Sequence, residues 1–120
     1  MSRSLVVKVV AGAEDPERCN QGFTVATNAV VSGVAVSLWL TGEATWLAVA
    51  GRAEEFSLPH ATPLSDLLST LLAEARVTVC TQCAQRRGLS EADLLPNVVI
   101  RGAASFVEEI MQPDAQALVY

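Results

Sequence analysis

The two cysteines of the stretch TVCTQCAQRRGLS, Cys80 and Cys83, are the side chains of this chain best suited to covalent chemistry. They stand three positions apart, after a short apolar run and before a basic pair and a glycine. This spacing suits a redox pair, half of a metal site, a sulfur-handling nucleophile with a neighbour, or two small core residues. The choice among these alternatives decides the function.

Cys80 lies where an α/β protein usually keeps its chemistry. The residues from Arg76 to Val79 predict a strand, and those from Thr81 to Arg87 predict a short helix that ends at Gly88. In open α/β sheets, ligands bind beyond the carboxyl ends of the strands, where the next helix begins. Free N–H groups at that helix start would stabilise a Cys80 thiolate, which can then both accept and release sulfur. The simpler alternative is a small apolar residue that fills the end of the strand.

Further candidate binding residues flank this edge of the predicted sheet. They are Thr81, Gln82 and Arg87 beside the cysteines, Glu43 and Trp46 after the second strand, and His60 in the long central segment. Arg86 and Arg87 either add positive potential near the thiolate or point to solvent. Trp46 is equally typical of an interface or core aromatic, and a lone loop histidine is usually solvated. His60 is therefore a secondary candidate for a base or a gate.

The third cysteine, Cys19, is predicted to be a core residue, because it recurs with Phe23, Ala26 and Val30 at helical spacing. A zinc site would have to combine Cys19 and His60 with the CxxC pair, and these positions are scattered, so we expect no metal. No Gly-rich phosphate loop or Ser/His/Asp constellation can be assembled, so we expect no cofactor. Thioredoxin-like chemistry fits the CxxC spacing, but that motif normally opens a long helix after the first strand.

The elements around these residues alternate between short β-branched runs and segments of helical spacing. Strands are predicted over residues 5–10, 34–40, 76–79, 97–101 and 116–120. Helices are predicted from Asp15, as the N-cap before Pro16, to Gly33, from Pro63 along a leucine stripe, and over 103–111. A short helix is also predicted over 46–49, within a segment that is otherwise an irregular surface excursion. Ser90 with Asp93 predicts a further cap. The pattern predicts one α/β domain over 1–120, with a parallel sheet and helices on both faces.

Composition excludes several classes of function. The chain has 120 residues, 51% of them hydrophobic, and a net charge of -5. That charge argues against nucleic acid as a partner. No secretory signal or membrane span is recognisable, and the three cysteines argue against a disulfide scaffold, so we expect a cytoplasmic protein. The high apolar fraction favours a homo-oligomer.

The opening LVVKVVAGAEDPERCNQGFTVATNAVVSGVAVSLWLTGEA and the later VTVCTQCAQRRGLSEADL resemble the DsrE/DsrF-like family, which includes the sulfur-relay subunits DsrE and TusD. The most specific shared feature is a strand-end cysteine followed by Arg-Gly, here Cys80 with Arg87 and Gly88. The resemblance implies a three-layer α/β/α fold with a five-stranded parallel sheet, and subunits assembled as trimers or hexamers.

In the relay members of that family, the cysteine carries sulfur as a persulfide between partner proteins. The resemblance therefore implies a sulfur carrier that accepts sulfane sulfur on Cys80 from a donor protein or small thiol and passes it to an acceptor. Cys83 is not required by the relay members, so its presence leaves a thiol-disulfide redox role open. A non-catalytic module that binds a ligand or partner in the same pocket is the other alternative.

Overall fold

The computed structural model describes residues 3–120 and contains a sheet of five strands. They are β1 (Ser4–Val9), β2 (Ala35–Leu40), β3 (Arg76–Cys80), β4 (Val98–Arg101) and β5 (Ala115–Val119). The strands lie in the order β4-β3-β2-β1-β5, and all neighbouring pairs are parallel. The predicted five-stranded parallel sheet is therefore confirmed, with strand ends within one residue of the prediction.

Within residues 3–120, five α-helices connect the strands. They are α1 (Pro16–Val31), α2 (Arg52–Glu55), α3 (Leu64–Glu74), α4 (Thr81–Arg86) and α5 (Ala103–Ile110). Two 3-10 helices cover Gly42–Ala48 and Glu91–Asp93. The short helix predicted over 46–49 is the end of a longer helical segment that begins at Gly42, and the prediction that the rest is an irregular surface excursion was wrong, because α2 follows. Small and apolar residues of Gly42–Ala48, among them Ala44 and Leu47, are buried in the core and so fix this segment.

The first face of the sheet, which α1 and α3 cover, holds the main core. Alternate strand residues such as Val7, Leu38 and Val79 are fully buried there, together with Phe23 of α1 and Leu71 of α3. Each fully buried side chain of this kind contributes about 1.5–3 kcal/mol to folding. This layer therefore supplies most of the hydrophobic stabilisation and fixes the strand ends in space.

The second face of the sheet is covered by α5 and completes the three layers. The ring of Phe106 packs edge-on against Trp39, with the ring centroids 5.4 Å apart. The Glu109 carboxylate accepts hydrogen bonds from Ser37 Oγ at 2.6 Å and from Trp39 Nε1 at 3.0 Å, and pairs with Arg76 at 3.3 Å. No residue of α5 is itself buried. The second helical layer is thus held by a few specific contacts rather than by a broad apolar interface.

The two predicted helix caps differ in the structure. Asp15 occupies the N-cap position before Pro16, but its side chain makes no capping hydrogen bond. Its carboxylate instead pairs with Arg18 Nε at 3.5 Å. Ser90 and Asp93 form the predicted capping box, and the hydrogen bonds from Ser90 lower the pKa of Asp93. The Asp15 cap was therefore right in position and wrong in its bonding.

Candidate functional site

β3 carries Cys80 to the carboxyl end of the sheet. The preceding residue, Val79, is buried in the first-face core, so by alternation Cys80 lies on the second face, like Thr78. Cys80 is the N-cap residue of α4, with an extended backbone, and its side chain makes no capping hydrogen bond. It is half-buried. A reactant can therefore approach Cys80 at the edge where α/β sheets bind their ligands.

Arg101 is the neighbour of Cys80 on the adjacent strand. The two residues are paired in the register of β3 and β4, and paired residues of parallel strands share a face. Arg101 is the last residue of β4 and is exposed. Sequence reasoning missed Arg101, although the predicted strand over 97–101 already ended on it. Arg101 is therefore a cationic residue on the strand next to Cys80, and its side chain lines a cavity with Arg76, Ser105 and Glu109.

Cys83 is the third residue of α4 and is only 8% exposed. Its Sγ atom accepts a hydrogen bond from the backbone N–H of Gly42, at an N–S distance of 3.2 Å. This contact joins the start of the 3-10 helix after β2 to the helix after β3. The second cysteine of the CxxC pair therefore has a donor aimed at its sulfur.

Two glycines allow the close backbone approach that makes this contact. Gly42 has φ +52°, a left-handed conformation, and a Cβ atom added there would lie 2.8 Å from the Val10 carbonyl oxygen. A Cβ atom added at Gly12 would lie 2.7 Å from the backbone of Glu43. The loop after β1 and the turn after β2 are therefore pressed together, and this packing sets where the Gly42 N–H points.

Arg87 ties the end of α4 to the same turn. Its Nη2 atom pairs with Glu43 Oε2 at 2.7 Å, and its Nη1 atom donates to the Cys83 carbonyl oxygen at 3.1 Å. The Arg87 side chain is 16% exposed. The structure thus brings together the predicted residues Glu43, Cys83 and Arg87. The charge of Arg87 is engaged by Glu43, while Arg86 is exposed.

Trp46 completes a small pocket beside this ion pair. The guanidinium of Arg52 lies 4.5 Å from the centre of the Trp46 ring, and that of Arg87 lies 5.9 Å from it. A cavity of about 170 Å³ opens here, and Glu43, Trp46, Arg52 and Phe56 contribute to its walls. Trp46 is half-buried and serves as a platform for two cations of the chain itself.

The remaining predicted residues are more dispersed. Thr81 is half-buried at the first position of α4, beside Gly102, and Gln82 is exposed. His60 is exposed in the turn between α2 and α3, with a φ of 60°. Among the hydrogen bonds and ion pairs found over residues 3–120, none involves the His60 side chain. The structure therefore gives no contact that joins His60 to the cysteine pair.

Cys19 is fully buried in the first-face core, as its helical spacing predicted. Burial raises the pKa of its thiol from 9.0 to about 12, and the nearby carboxylates of Glu14 and Asp15 add to the effect. A thiol in this environment stays protonated and is inert as a nucleophile. Cys19 is therefore a packing residue.

Residues 3–120 contain no group of three or more His, Cys, Asp or Glu side chains placed to hold a metal ion. None of the helices in that range is long and apolar enough to cross a membrane.

Comparison with known proteins identifies the family. The model of the DsrE/DsrF-like family matches residues 4–117, which is nearly the whole chain. The chain belongs to the DsrE/DsrF-like family. This assignment confirms the resemblance seen in the stretches around β1, α1 and Cys80.

Two solved structures share the fold at low sequence identity, and one further protein is related in sequence. The ychN protein from E. coli superposes with a TM-score of 0.79 and 20% identity, over 100% of both chains. Protein MTH1491 of unknown function, from Methanobacterium thermoautotrophicum, has a TM-score of 0.74 and 11% identity, over 99% of this chain and 100% of its own. Uncharacterized protein MJ0760 of Methanocaldococcus jannaschii is 24% identical over 106 residues, and the match spans 88% of this chain but 38% of that protein. The two structural matches support the fold of this DsrE-like chain.

Proposed function

We propose that this protein is a sulfur carrier in which Cys80 holds sulfane sulfur as a persulfide. The observation that carries the proposal is the half-buried Cys80 side chain at the carboxyl end of β3, paired in register with Arg101. Membership of a family that includes sulfur-relay proteins supports the same chemistry. The sulfur donor and the acceptor are partner proteins or small thiols.

The reaction needs no resident cofactor. The Cys80 thiolate attacks the sulfane sulfur of the donor, and the donor's leaving group departs with the electron pair of the broken bond. The terminal sulfur of the new persulfide carries negative charge, and we propose that Arg101, the register partner of Cys80 on β4, stabilises it. An acceptor thiolate then attacks the outer sulfur, and Cys80 leaves as a thiolate. The Cys80 sulfur is restored without net oxidation.

The test is sulfur loading of a variant that keeps Cys80 and lacks the thiol three residues away. Reduced Cys83→Ala protein is treated with inorganic polysulfide, desalted and measured by intact mass spectrometry. We expect a gain of the mass of one sulfur atom, which a later thiol treatment removes. The control is Cys80→Ser combined with Cys83→Ala, which retains Cys19 and which we expect to gain nothing.

Two outcomes contradict the carrier proposal. One is a folded Cys83→Ala protein that gains no sulfur under conditions that load a free thiol of low molecular weight. The other is equal loading of the control that lacks Cys80. Circular dichroism of both variants establishes that the comparison is made on folded protein.

We further propose that copies of this chain associate through the second face of the sheet, as the trimers or hexamers of the family imply. Val107 of α5 and Met111 just after its end are 52% and 73% exposed, and Val119 of the edge strand β5 is 63% exposed. Exposed apolar side chains of this size are typical of interfaces. The double substitution Val107→Glu and Met111→Glu is expected to lower the molar mass of the assembly, as measured by light scattering. Val31→Glu is the control, because Val31 is 70% exposed at the end of α1.

A cytoplasmic site of action fits this chemistry, and we include it in the proposal. Glutathione and thioredoxin keep thiols reduced in the cytoplasm. Cys19, Cys80 and Cys83 are all free thiols in the structure, which is the state that the first attack on a donor requires.

A further inference from the structure

We propose that Cys83 resolves the Cys80 persulfide, so that the protein can also reduce sulfane sulfur to sulfide and store the oxidising equivalents as a Cys80–Cys83 disulfide. This inference rests on the proposed carrier function and adds a second outcome at the same site. Three features of the structure carry it: the positions of the two cysteines on α4, the hydrogen bond to the Cys83 sulfur, and the different exposure of the two thiols.

The positions on the helix bring the two side chains towards each other. Cys80 is the N-cap residue of α4 and Cys83 is its third residue. These are the two positions whose side chains reach towards each other in a capping box. The same chain shows that geometry at its other cap, where Ser90 Oγ and Asp93 Oδ2 lie 3.1 Å apart at the N-cap and third positions. This placement at the N-cap and third positions of one helix favours a disulfide between Cys80 and Cys83.

The hydrogen bond from the Gly42 N–H distinguishes Cys83 from a residue that only fills space in the core. A small core residue needs no hydrogen-bond donor, yet the Cys83 sulfur accepts one at 3.2 Å. An N–H directed at sulfur stabilises the thiolate, because hydrogen bonds to an ionised acceptor are stronger than those to a neutral one. The glycine conformation at position 42 and the tight contact with Val10 hold this donor in place.

The exposure of the two cysteines sets the order of events. Cys80 is half-buried and meets an external donor first, whereas Cys83 is 8% exposed and meets a sulfur atom already attached to Cys80. Cys83 is therefore shielded from bulk reactants and presented to its neighbour. This arrangement is the one expected of a resolving thiol.

The step balances without another oxidant. The Cys83 thiolate attacks the inner sulfur of the persulfide, which is Cys80 Sγ. The bond from Cys80 Sγ to the outer sulfur breaks, and the outer sulfur leaves with that electron pair and takes up the proton that the Cys83 thiol has lost, as hydrosulfide. The two cysteines together lose two electrons on forming the disulfide, and the sulfane sulfur gains them. A thiol reductant, such as a dithiol, then restores both cysteines.

The experiment compares wild-type protein with Cys83→Ala and Cys83→Ser after a single loading with inorganic polysulfide. Excess reagent is removed rapidly, and then released sulfide and intact mass are followed over time without added thiol. We expect wild type to release about one sulfide per chain and to end two hydrogens lighter than the reduced protein, since exchange with a neighbouring thiol is intramolecular. Both variants should hold the added sulfur, with release slower by about tenfold or more.

The outcomes separate this inference from the carrier proposal. If the two variants load sulfur on Cys80 and wild type keeps its sulfur just as long, the resolving role is wrong and the carrier stands. If no protein gains sulfur, the carrier proposal itself fails. A disulfide mapped by peptide mass spectrometry to Cys19 rather than to Cys80 and Cys83 also overturns the inference.

Discussion

Cys19 and Cys80 are the same residue type on opposite faces of one sheet, and the structure gives them opposite properties. Cys19 is fully buried among the apolar side chains of α1 and the first face. Cys80 stands half-buried at the end of β3, with Arg101 on the next strand. The contrast teaches that a place at a strand end leaves a cysteine open to reactants, as the carrier proposal requires, whereas the core keeps a cysteine on the buried stripe of a helix inert.

The largest expected difference between Cys19 and Cys80 is in the rate at which each thiol is alkylated. A pKa of about 12 for Cys19 leaves about a thousandfold less thiolate than an ordinary thiol at neutral pH, and burial slows access further. We therefore expect iodoacetamide to modify Cys80 more than about a thousandfold faster than Cys19 in native protein. Peptide mass spectrometry after timed quenching gives both rates. Similar rates in folded protein would place Cys19 outside the core.

The second test concerns alkaline stability. Folding raises the Cys19 pKa from 9.0 to about 12, so the folded state holds the proton more tightly than the unfolded chain. The resulting stabilisation is complete below about pH 9 and is lost as the pH rises towards 12. Between pH 8 and 10.5, the free energy of unfolding of wild type should fall by about 2 kcal/mol more than that of Cys19→Ala.

Urea unfolding in the presence of a reductant measures this difference at each pH. Cys19→Ala is expected to be less stable than wild type below pH 9, because it leaves a cavity in the core. The difference in the free energy of unfolding between the two proteins should narrow as the pH rises. Stability curves of the two proteins that stay parallel up to pH 10.5 would contradict the assigned burial of the Cys19 thiol.

The third test, which has the smallest expected effect, concerns Arg101 and the rate at which Cys80 is loaded with sulfur. Arg101→Gln removes the charge of the residue that is paired with Cys80 in the register of β3 and β4, and keeps a side chain of similar length. In the Cys83→Ala background, loading by anionic polysulfide should slow by about 3- to 10-fold, which corresponds to the loss of a partly exposed charge interaction. Loading by a neutral organic trisulfide should change little. Arg86→Gln is the matched control, since Arg86 is exposed on α4. Equal losses for both donors would assign Arg101 a structural role.

Sequence reasoning predicted the architecture well, because its signals are local. The continuous apolar runs around Val7 and Val79 and the leucine stripe of α3 predict buried strands and a helix without knowledge of their neighbours. The place of Cys80 at the end of β3 follows from the same pattern. The burial of Cys19 follows from the periodicity of α1.

The parts of the site that sequence reasoning could not supply all depend on contacts between distant positions. Arg101 is paired with Cys80 because β4 is the neighbour of β3 in the sheet. The sequence of neither strand indicates which strand lies next to it. The Gly42 N–H reaches the Cys83 sulfur across a separation of 41 residues. Arg87 likewise forms an ion pair with the distant residue Glu43. Its charge, which was predicted to lie near the thiolate, is therefore balanced by the Glu43 carboxylate.

The attachment of α5 has a consequence for motion. No residue of this helix is buried, and its Glu109 carboxylate gathers Ser37, Trp39 and Arg76 at a single point. Segments with few buried contacts open locally at the lowest free-energy cost. Amide protons of α5 should therefore exchange with deuterium before those of β1 to β3. Each opening of this eight-residue helix would admit bulk solvent to the Trp39 ring, which is 1% exposed when the helix is in place.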